Sequence, residues 1–363
     1  MLLYQDKVNQ KNEMKDIIAY RIKNARIFKG LTLQNLADEL HVSKQMISKY
    51  EKGMSLPNSQ NIIKLAKLLD QKVDYFFRAC KIDVGHVNFR KKSKFSIKKQ
   101  KSLKEQIKIN LENYLWIEDL LSIDYSFKNI ISDFQVSNIS AVEKVILQLR
   151  QKWDIGNDPI YNIIQLLEDK EIKVIELFDV DDKFDGLATF VNDKYPVIVV
   201  NGNFPVERKR FTLLHELGHL LLNIKGSIDS KKEETLCNQF ASEFLLPRKF
   251  LFNEFGGKRG HITLPELISI QEKYGISIPA IIYRLVDAKI IAKEKHTSFY
   301  KKINFNPNLK ELVNESRFKT PEHSNRYQQL VYRALAQENI TMSKASSLLN
   351  IDLNSIMDNG LFI

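Results

Sequence analysis

From Asp16 onward, apolar residues recur at three- and four-residue steps. Ile18, Ile22, Ala25 and Ile27 keep one side of a helix that Gly30 ends. Thr32 is placed to cap LTLQNLADEL, whose Leu33, Leu36, Ala37 and Leu40 face inward. After His41 and Val42, Ser43 caps KQMISKYEKG, and Gly53 terminates it. Pro57 and Asn58 form a turn, and Ile62, Ile63, Leu65, Ala66, Leu68 and Leu69 mark a fourth helix before the apolar VDYFF at 73–77. A further amphipathic helix runs from Leu103 to about Ser122, with Ile107, Leu111, Leu115 and Trp116, and is expected to pack against the next domain.

Beyond Ser140, taken as a cap, AVEKVILQLRQKW reads as a helix, and Asp158-Pro159 opens another through IYNIIQLLEDK. The period then shifts toward two. Residues 173–177, 187–191 and 196–200 read as strands, and Asn192-Asp193-Lys194-Tyr195 is a hairpin connection, since Asn and Asp favour turns. A helix over Glu207–Asn223 and another from about Lys232 follow, then helical segments opening at Thr263 and Ile278. Residues 296–325 look polar and irregular. Two closing amphipathic stretches, RYQQLVYRALAQENI and TMSKASSLLNIDLNSIM, resemble a small helix-turn-helix with little positive charge and are expected to pack on the preceding domain.

The 363 residues, 44% hydrophobic and 27% charged, suit a multidomain globular chain. No apolar run is long enough to span a bilayer, and the polar N-terminus does not read as a secretory signal. Cys80 and Cys237 lie far apart, which argues against a disulfide framework and for a cytoplasmic location. Charge is uneven: residues 1–80 hold 14 Lys and Arg against 8 Asp and Glu, and residues 81–105 hold 9 against 2. The whole excess of +11 therefore lies in the first third, where a polyanion partner is expected. The basic connector at 81–105, with Phe89, Phe95 and Ile97 between its lysines, reads either as a solvated linker or as a clamp on phosphates.

Two short helices with Ala37 near their crossing form a helix-turn-helix pattern. Across roughly residues 16–77, and most closely in LTLQNLADELHVSKQMISKYEKG, the sequence resembles the XRE family of phage-repressor-like DNA-binding domains. The resemblance implies double-stranded DNA as a partner, with the helix from Ser43 in the major groove. Lys44, Gln45, Ser48 and Lys49 then become candidate base or phosphate contacts, and Gln34 a backbone contact. A homodimer is expected, because one short recognition helix gives little affinity alone. The rival reading is a helical bundle that binds only protein.

The most specific chemistry lies in ERKRFTLLHELGHLLLN, where His215, Glu216 and His219 spell H-E-x-x-H. Histidines four apart share one helix face and can meet a single ion, while the carboxylate beside the first sits close to it. Such a site needs a third protein ligand and an open fourth position. No histidine follows soon after His219, so the three-histidine arrangement is disfavoured. The helix EETLCNQFASEFLLP offers Glu233, Glu234 and Glu243. Glu234 is preferred because Asn238, one turn on, is spaced to orient it, and Glu243 is the second choice; any of the three could instead be a solvated charge.

RFTLLHELGHLLLN followed by ETLCNQFASEFLLP resembles the ImmA/IrrE metallopeptidases over roughly residues 140–290, including the upstream FDGLATFVNDKYPVIVVN. Carried over by position, the resemblance implies His215, His219 and Glu234 as Zn2+ ligands, Glu216 as the catalytic carboxylate, and Cys237 as packing. The expected fold is a multidomain one. An all-α helix-turn-helix bundle (16–80) leads through a basic connector and helix (81–138) to an α+β HExxH metallopeptidase domain with a small β-sheet (139–295). A helical C-terminal extension (296–363) closes the chain. The expected function is a transcriptional regulator fused to a zinc endopeptidase that cleaves a protein substrate, a specific repressor or partner. A zinc-responsive transcription factor without proteolytic activity is the alternative, and self-cleavage near residues 80–105 a third possibility.

Overall fold

The computed structural model describes residues 2–78, 97–178, 180–224 and 229–359. The chain divides into two compact units, Met1–Asp124 together with Tyr327–Ile363, and Tyr125–Arg326. The connector residues 79–96, including Cys80, Phe89 and Phe95, lie outside the described residues, and with them the expected phosphate clamp.

In the first unit, α1 (Leu2–Phe28) starts well before Asp16. It buries Ile18, Ile22 and Ala25 with Leu36, Ala37 and Leu40 of α2 (Leu33–Leu40), Ile47 and Tyr50 of α3 (Lys44–Glu51), and Ile62, Leu65 and Ala66 of α4 (Ser59–Leu68). Caps set the α2–α3 hairpin. Thr32 Oγ1 accepts from the Asn35 N–H, while Asn35 Oδ1 accepts from the Thr32 N–H. Ser43 Oγ accepts from the Met46 N–H at 3.2 Å. Between them His41 adopts φ 56°, and the Val42 N–H reaches back to Ala37 O at 3.0 Å, closing α2. Asn58 proves to be the cap of α4 as well as a turn residue. Tyr75 and Phe76, in a short 3₁₀ turn over Val73–Phe77, complete this core. Helix α5 (Ile97–Leu120) is bound to α1 by an Arg21–Glu112 ion pair and by Ser102 Oγ donating to Phe28 O.

The second unit opens with β1 (Gln135–Val136), α6 (Ile139–Lys152) and α7 (Ile163–Asp169). Asn138 caps α6 rather than Ser140, and Asn162 caps α7 rather than the Asp158-Pro159 pair. Residues 160 and 161 are kept out of the helix because their carbonyls turn to the buried Arg210 guanidinium. A three-stranded sheet follows, built from β2 (Lys173–Leu177), β3 (Gly186–Val191) and β4 (Tyr195–Asn201) in the order β2-β4-β3. β4 pairs parallel to β2 and antiparallel to β3. Asn192 and Asp193, at φ 51° and 52°, make the β3–β4 turn, as their residue types predict. Helix α8 (Val206–Leu221) lies on β3 and β4, and β5 (Asn223–Ile224) pairs parallel with β1.

Helices α9 (Ser230–Leu245), α10 (Arg248–Phe255), α11 (Leu264–Tyr274) and α12 (Ile278–Asp287) complete the main core, with Phe240, Phe244, Ile270 and Ile281 fully or nearly fully buried. The stretch read as irregular contains α13 (Lys293–Phe305) and α14 (Pro307–Asn314). Each buries a single residue, Ile303 and Val313, so the apolar periodicity that marks a helix in sequence is nearly absent. Only residues 306 and 315–325 are irregular.

The last three helices, α15 (Arg326–Ala336), α16 (Met342–Leu349) and α17 (Leu353–Asn359), share a core with α5 within the first unit, which corrects the expectation that they pack on the preceding domain. Leu330, Val331, Ala345 and Ile356 bury against Tyr114 and Ile117, and Tyr114 stacks on Tyr327. α5 therefore packs within its own unit, between α1 and the C-terminal helices. The α16–α17 hairpin repeats the α2–α3 spacing: a threonine cap (Thr341), an eight-residue helix, a left-handed residue (Asn350, φ 54°), and a new helix three positions later.

Candidate metal centre and helix-turn-helix face

Helix α8 is buried along most of its length, with Leu213, Leu214, Leu217 and Leu221 in the core. Its far end is held where Asn129 Nδ2 donates to Leu221 O and Asn223 Nδ2 to Ser132 O. Gly218, between the two histidines, faces α9: a Cβ there would lie 3.4 Å from the Cys237 backbone and the Phe240 ring. There is room for a methyl group but not for a branched side chain between the helix bearing His215 and His219 and the one bearing Glu234. On the sheet side, a Cβ on Gly186 would meet Thr212, Val199 O and, at 3.3 Å, Glu216 Cγ. Glu216 is buried, beside the start of edge strand β3.

His215, His219 and Glu234 each bring one ligand atom to a common point, all within 4.8 Å of one another. The two Nε2 atoms are 3.1 Å apart; Glu234 reaches within 3.4 Å of His215 Nε2 and 3.9 Å of His219 Nε2. Metal–ligand bonds of roughly 2.0–2.1 Å in a tetrahedral site require ligand atoms roughly 3.3 Å apart, and these separations bracket that value. His219 Nδ1 lies 3.0 Å from Glu233 Oε1 and 3.2 Å from Cys237 Sγ. Both neighbours lie at Nδ1, on the side of the ring away from the cluster, and a hydrogen on Nδ1 would leave the Nε2 lone pair facing it. The residues present thus fit a zinc-type ion.

The other candidates separate cleanly. Glu243 is buried in an ion pair with Arg284 and accepts from the Arg248 N–H at 2.8 Å. Burial raises its carboxyl pKa even against the Arg284 charge. Asn238, expected to orient Glu234, is exposed. Glu233, weighed in the sequence as a possible ligand, and Cys237, read there as packing, stand one turn apart on α9, and their contact with His219 was not foreseen. Their i, i+4 spacing, with Glu234 adjacent, is the signal that could have given them a shared neighbour.

In the first unit, Ile47 and Tyr50 turn inward from α3, while Lys44, Gln45 and Lys49 are exposed and Ser48 half-buried. Gln34 is exposed on α2 and donates to Asp38 Oδ1 at 2.7 Å. Arg26 on α1 holds the end of α3 through both Glu51 oxygens, at 2.5 and 2.9 Å. At the corresponding positions of the C-terminal hairpin stand Leu353, Asn354 and Met357; Leu353 and Met357 are exposed and carry no charge for a phosphate.

Among the described residues, no helix is long and apolar enough to cross a membrane. Residues 168–286 match the family described as the IrrE N-terminal-like domain, a peptidase family, and residues 22–76 match the helix-turn-helix family. An uncharacterized HTH-type transcriptional regulator of Rickettsia prowazekii is 37% identical over 60 residues, 16% of this chain and 46% of the relative. A second, from Rickettsia conorii, matches at the same identity over 48% of its length. The chain thus spans about half the length of these curated relatives. It joins an N-terminal helix-turn-helix domain to an IrrE-like, peptidase-family domain.

Proposed function

We propose that the chain is a cytoplasmic DNA-binding regulator coupled to a zinc-dependent endopeptidase that cleaves a specific repressor or partner protein. The observation that carries this reading is the convergence of His215, His219 and Glu234 from two packed helices, with buried Glu216 between that cluster and edge strand β3. Residues 16–80 would bind DNA and residues 139–295 would carry the hydrolytic site. A zinc ion held by His215, His219 and Glu234 would supply Lewis acidity and make water acidic enough to lose a proton near neutral pH.

The protein's own residues then divide the work. Glu216 accepts a proton from the attacking water and returns one to the leaving amine. Its burial removes competing solvent and keeps the carboxylate close to the histidines. Strand β3, with one edge unpaired in the sheet, offers backbone groups to an extended peptide. On the DNA side, Lys44, Gln45, Ser48 and Lys49 present polar and basic groups from one face of α3, with Gln34 at the start of α2; dimerisation would double that surface.

The test compares zinc content and cleavage of co-encoded regulators for wild type and Glu216→Gln. Glu216→Gln is expected to keep the zinc and lose about 10²–10⁴-fold in cleavage rate. Undiminished cleavage by the variant removes Glu216 from its role. Bound zinc with no cleavage by wild type favours a zinc-responsive transcription factor.

A further inference from the structure

His219 touches two side chains that hold no ligand position, and they differ in kind. Glu233 Oε1 lies 3.0 Å from Nδ1, and Cys237 Sγ 3.2 Å from the same nitrogen. The His219 side chain is 6% exposed, whereas that of Glu233 is 44% exposed. Glu233 is also the residue immediately before Glu234, on the first turn of α9. One helical turn therefore presents two consecutive carboxylates with different targets: Glu234 toward both Nε2 atoms, Glu233 toward the opposite nitrogen of one ring.

We propose that Glu233 is a positioning residue that holds His219 as the Nδ1–H tautomer and aims its Nε2 lone pair at the metal position. This rests on the reading of His215, His219 and Glu234 as the metal ligands. The physical reason is directional. A neutral imidazole carries one hydrogen, and whichever nitrogen keeps it cannot ligate. A carboxylate is a far stronger acceptor than a thiol, so Glu233 takes the hydrogen bond and Cys237 packs beside it as a soft, buried neighbour. Hydrogen bonding to a carboxylate also makes the far nitrogen more basic and thereby a better ligand.

Two measurements on the full-length protein test this. Zinc affinity is determined by competition with a chromophoric chelator for wild type, Glu233→Ala, Glu233→Gln, Cys237→Ala, His219→Ala and Glu234→Ala. Glu233→Ala is expected to weaken zinc binding about 10- to 100-fold. Glu233→Gln, whose amide oxygen still accepts, should recover most of that loss, and Cys237→Ala should change affinity little. In parallel, ¹⁵N NMR of the metal-free protein, with the His219 signal identified by its loss in His219→Ala, reads the tautomer directly. It is expected as Nδ1–H in wild type and as a tautomeric mixture in Glu233→Ala.

Wild-type affinity in Glu233→Ala, or an unchanged His219 tautomer, overturns the proposal even if the metal site is real. The ligand assignment fails separately, if His219→Ala and Glu234→Ala bind zinc as tightly as wild type. The NMR measurement still decides the role of Glu233 in that case.

Discussion

The two ends of α8 both carry ionisable groups, and they are arranged on opposite principles. At the first turn, Glu207, Lys209 and Arg210 each meet groups of complementary kind. Arg210, fully buried, pairs with Glu322 and donates to the carbonyls of Ile160, Tyr161, Tyr274 and Gly275. Lys209 bonds Glu176 at 2.7 Å and Glu322 O at 3.0 Å. Glu207 accepts from Ser316, from the backbone of Arg317 and Phe318, and from Gln271. Two turns later the pattern is convergence: two imidazole nitrogens and a carboxylate oxygen, all electron-pair donors, aim at one point. Ionisable groups are common to both ends, buried at the first turn and half-buried where the three converge. What separates a structural cluster from a candidate site is whether the groups complement each other or share a target.

That contrast has consequences for stability, and the largest is expected at the first turn. Glu322→Ala would leave the buried Arg210 guanidinium without its carboxylate and remove the acceptor of the Ile163 and Ile164 N–H groups. The expected loss is about 3–5 kcal/mol by urea denaturation. His219→Ala, measured without metal, should cost well under half as much. Equal losses at the two ends would erase the distinction.

Gly218 gives a middle-sized effect that links packing to the site. Gly218→Val pushes branched carbons into the Cys237 backbone and the Phe240 ring, at an expected cost of about 1–3 kcal/mol. Zinc retention should fall with it, because α9 carries Glu234. Gly218→Ala meets its neighbours at ordinary contact distance and should keep both fold and zinc. If the valine variant holds zinc as wild type does, the helix spacing does not set the ligand geometry.

The smallest effect is in the pH response. Burial alone would raise the Glu207 carboxyl pKa, but hydrogen bonds from Ser316 and the Arg317 and Phe318 N–H groups outweigh it and hold it below the usual glutamate range. A lowered folded-state pKa stabilises above the unfolded value, and that contribution is lost as pH falls through the folded value. Glu207→Gln should therefore be less stable than wild type at neutral pH, with the two stability curves converging in acid. Parallel curves would show that Glu207 contributes nothing through its charge.

How much was legible follows from the range of the interactions involved. The caps Thr32 and Ser43, the hairpin at Asn192-Asp193 and the two histidines of α8 are local, and each could be read within four or five residues. The cap of α7 was misplaced because Arg210 takes carbonyls that a local reading assigns to a helix; that of α6 was misplaced by two residues, between Asn138 and Ser140, two residue types that both favour the position. α13 and α14 were missed because each buries one residue and so lacks a periodic face. The helix at α5 was legible, but not its partners: an apolar stripe says that something covers it and does not say what.

By itself, the sequence determined which residue types stand at helical and turn positions, hence the helix-turn-helix hairpin and a histidine pair able to share an ion. It also narrowed the third carboxylate to three candidates on one later helix. Only the tertiary structure separated these, turning Glu234 toward both histidines, Glu233 to the back of His219, and Glu243 into an ion pair with Arg284. The reason is geometric. Residues 14 to 19 positions away on another helix meet α8 at a rotation and height set by the surrounding core, and no local pattern encodes that rotation.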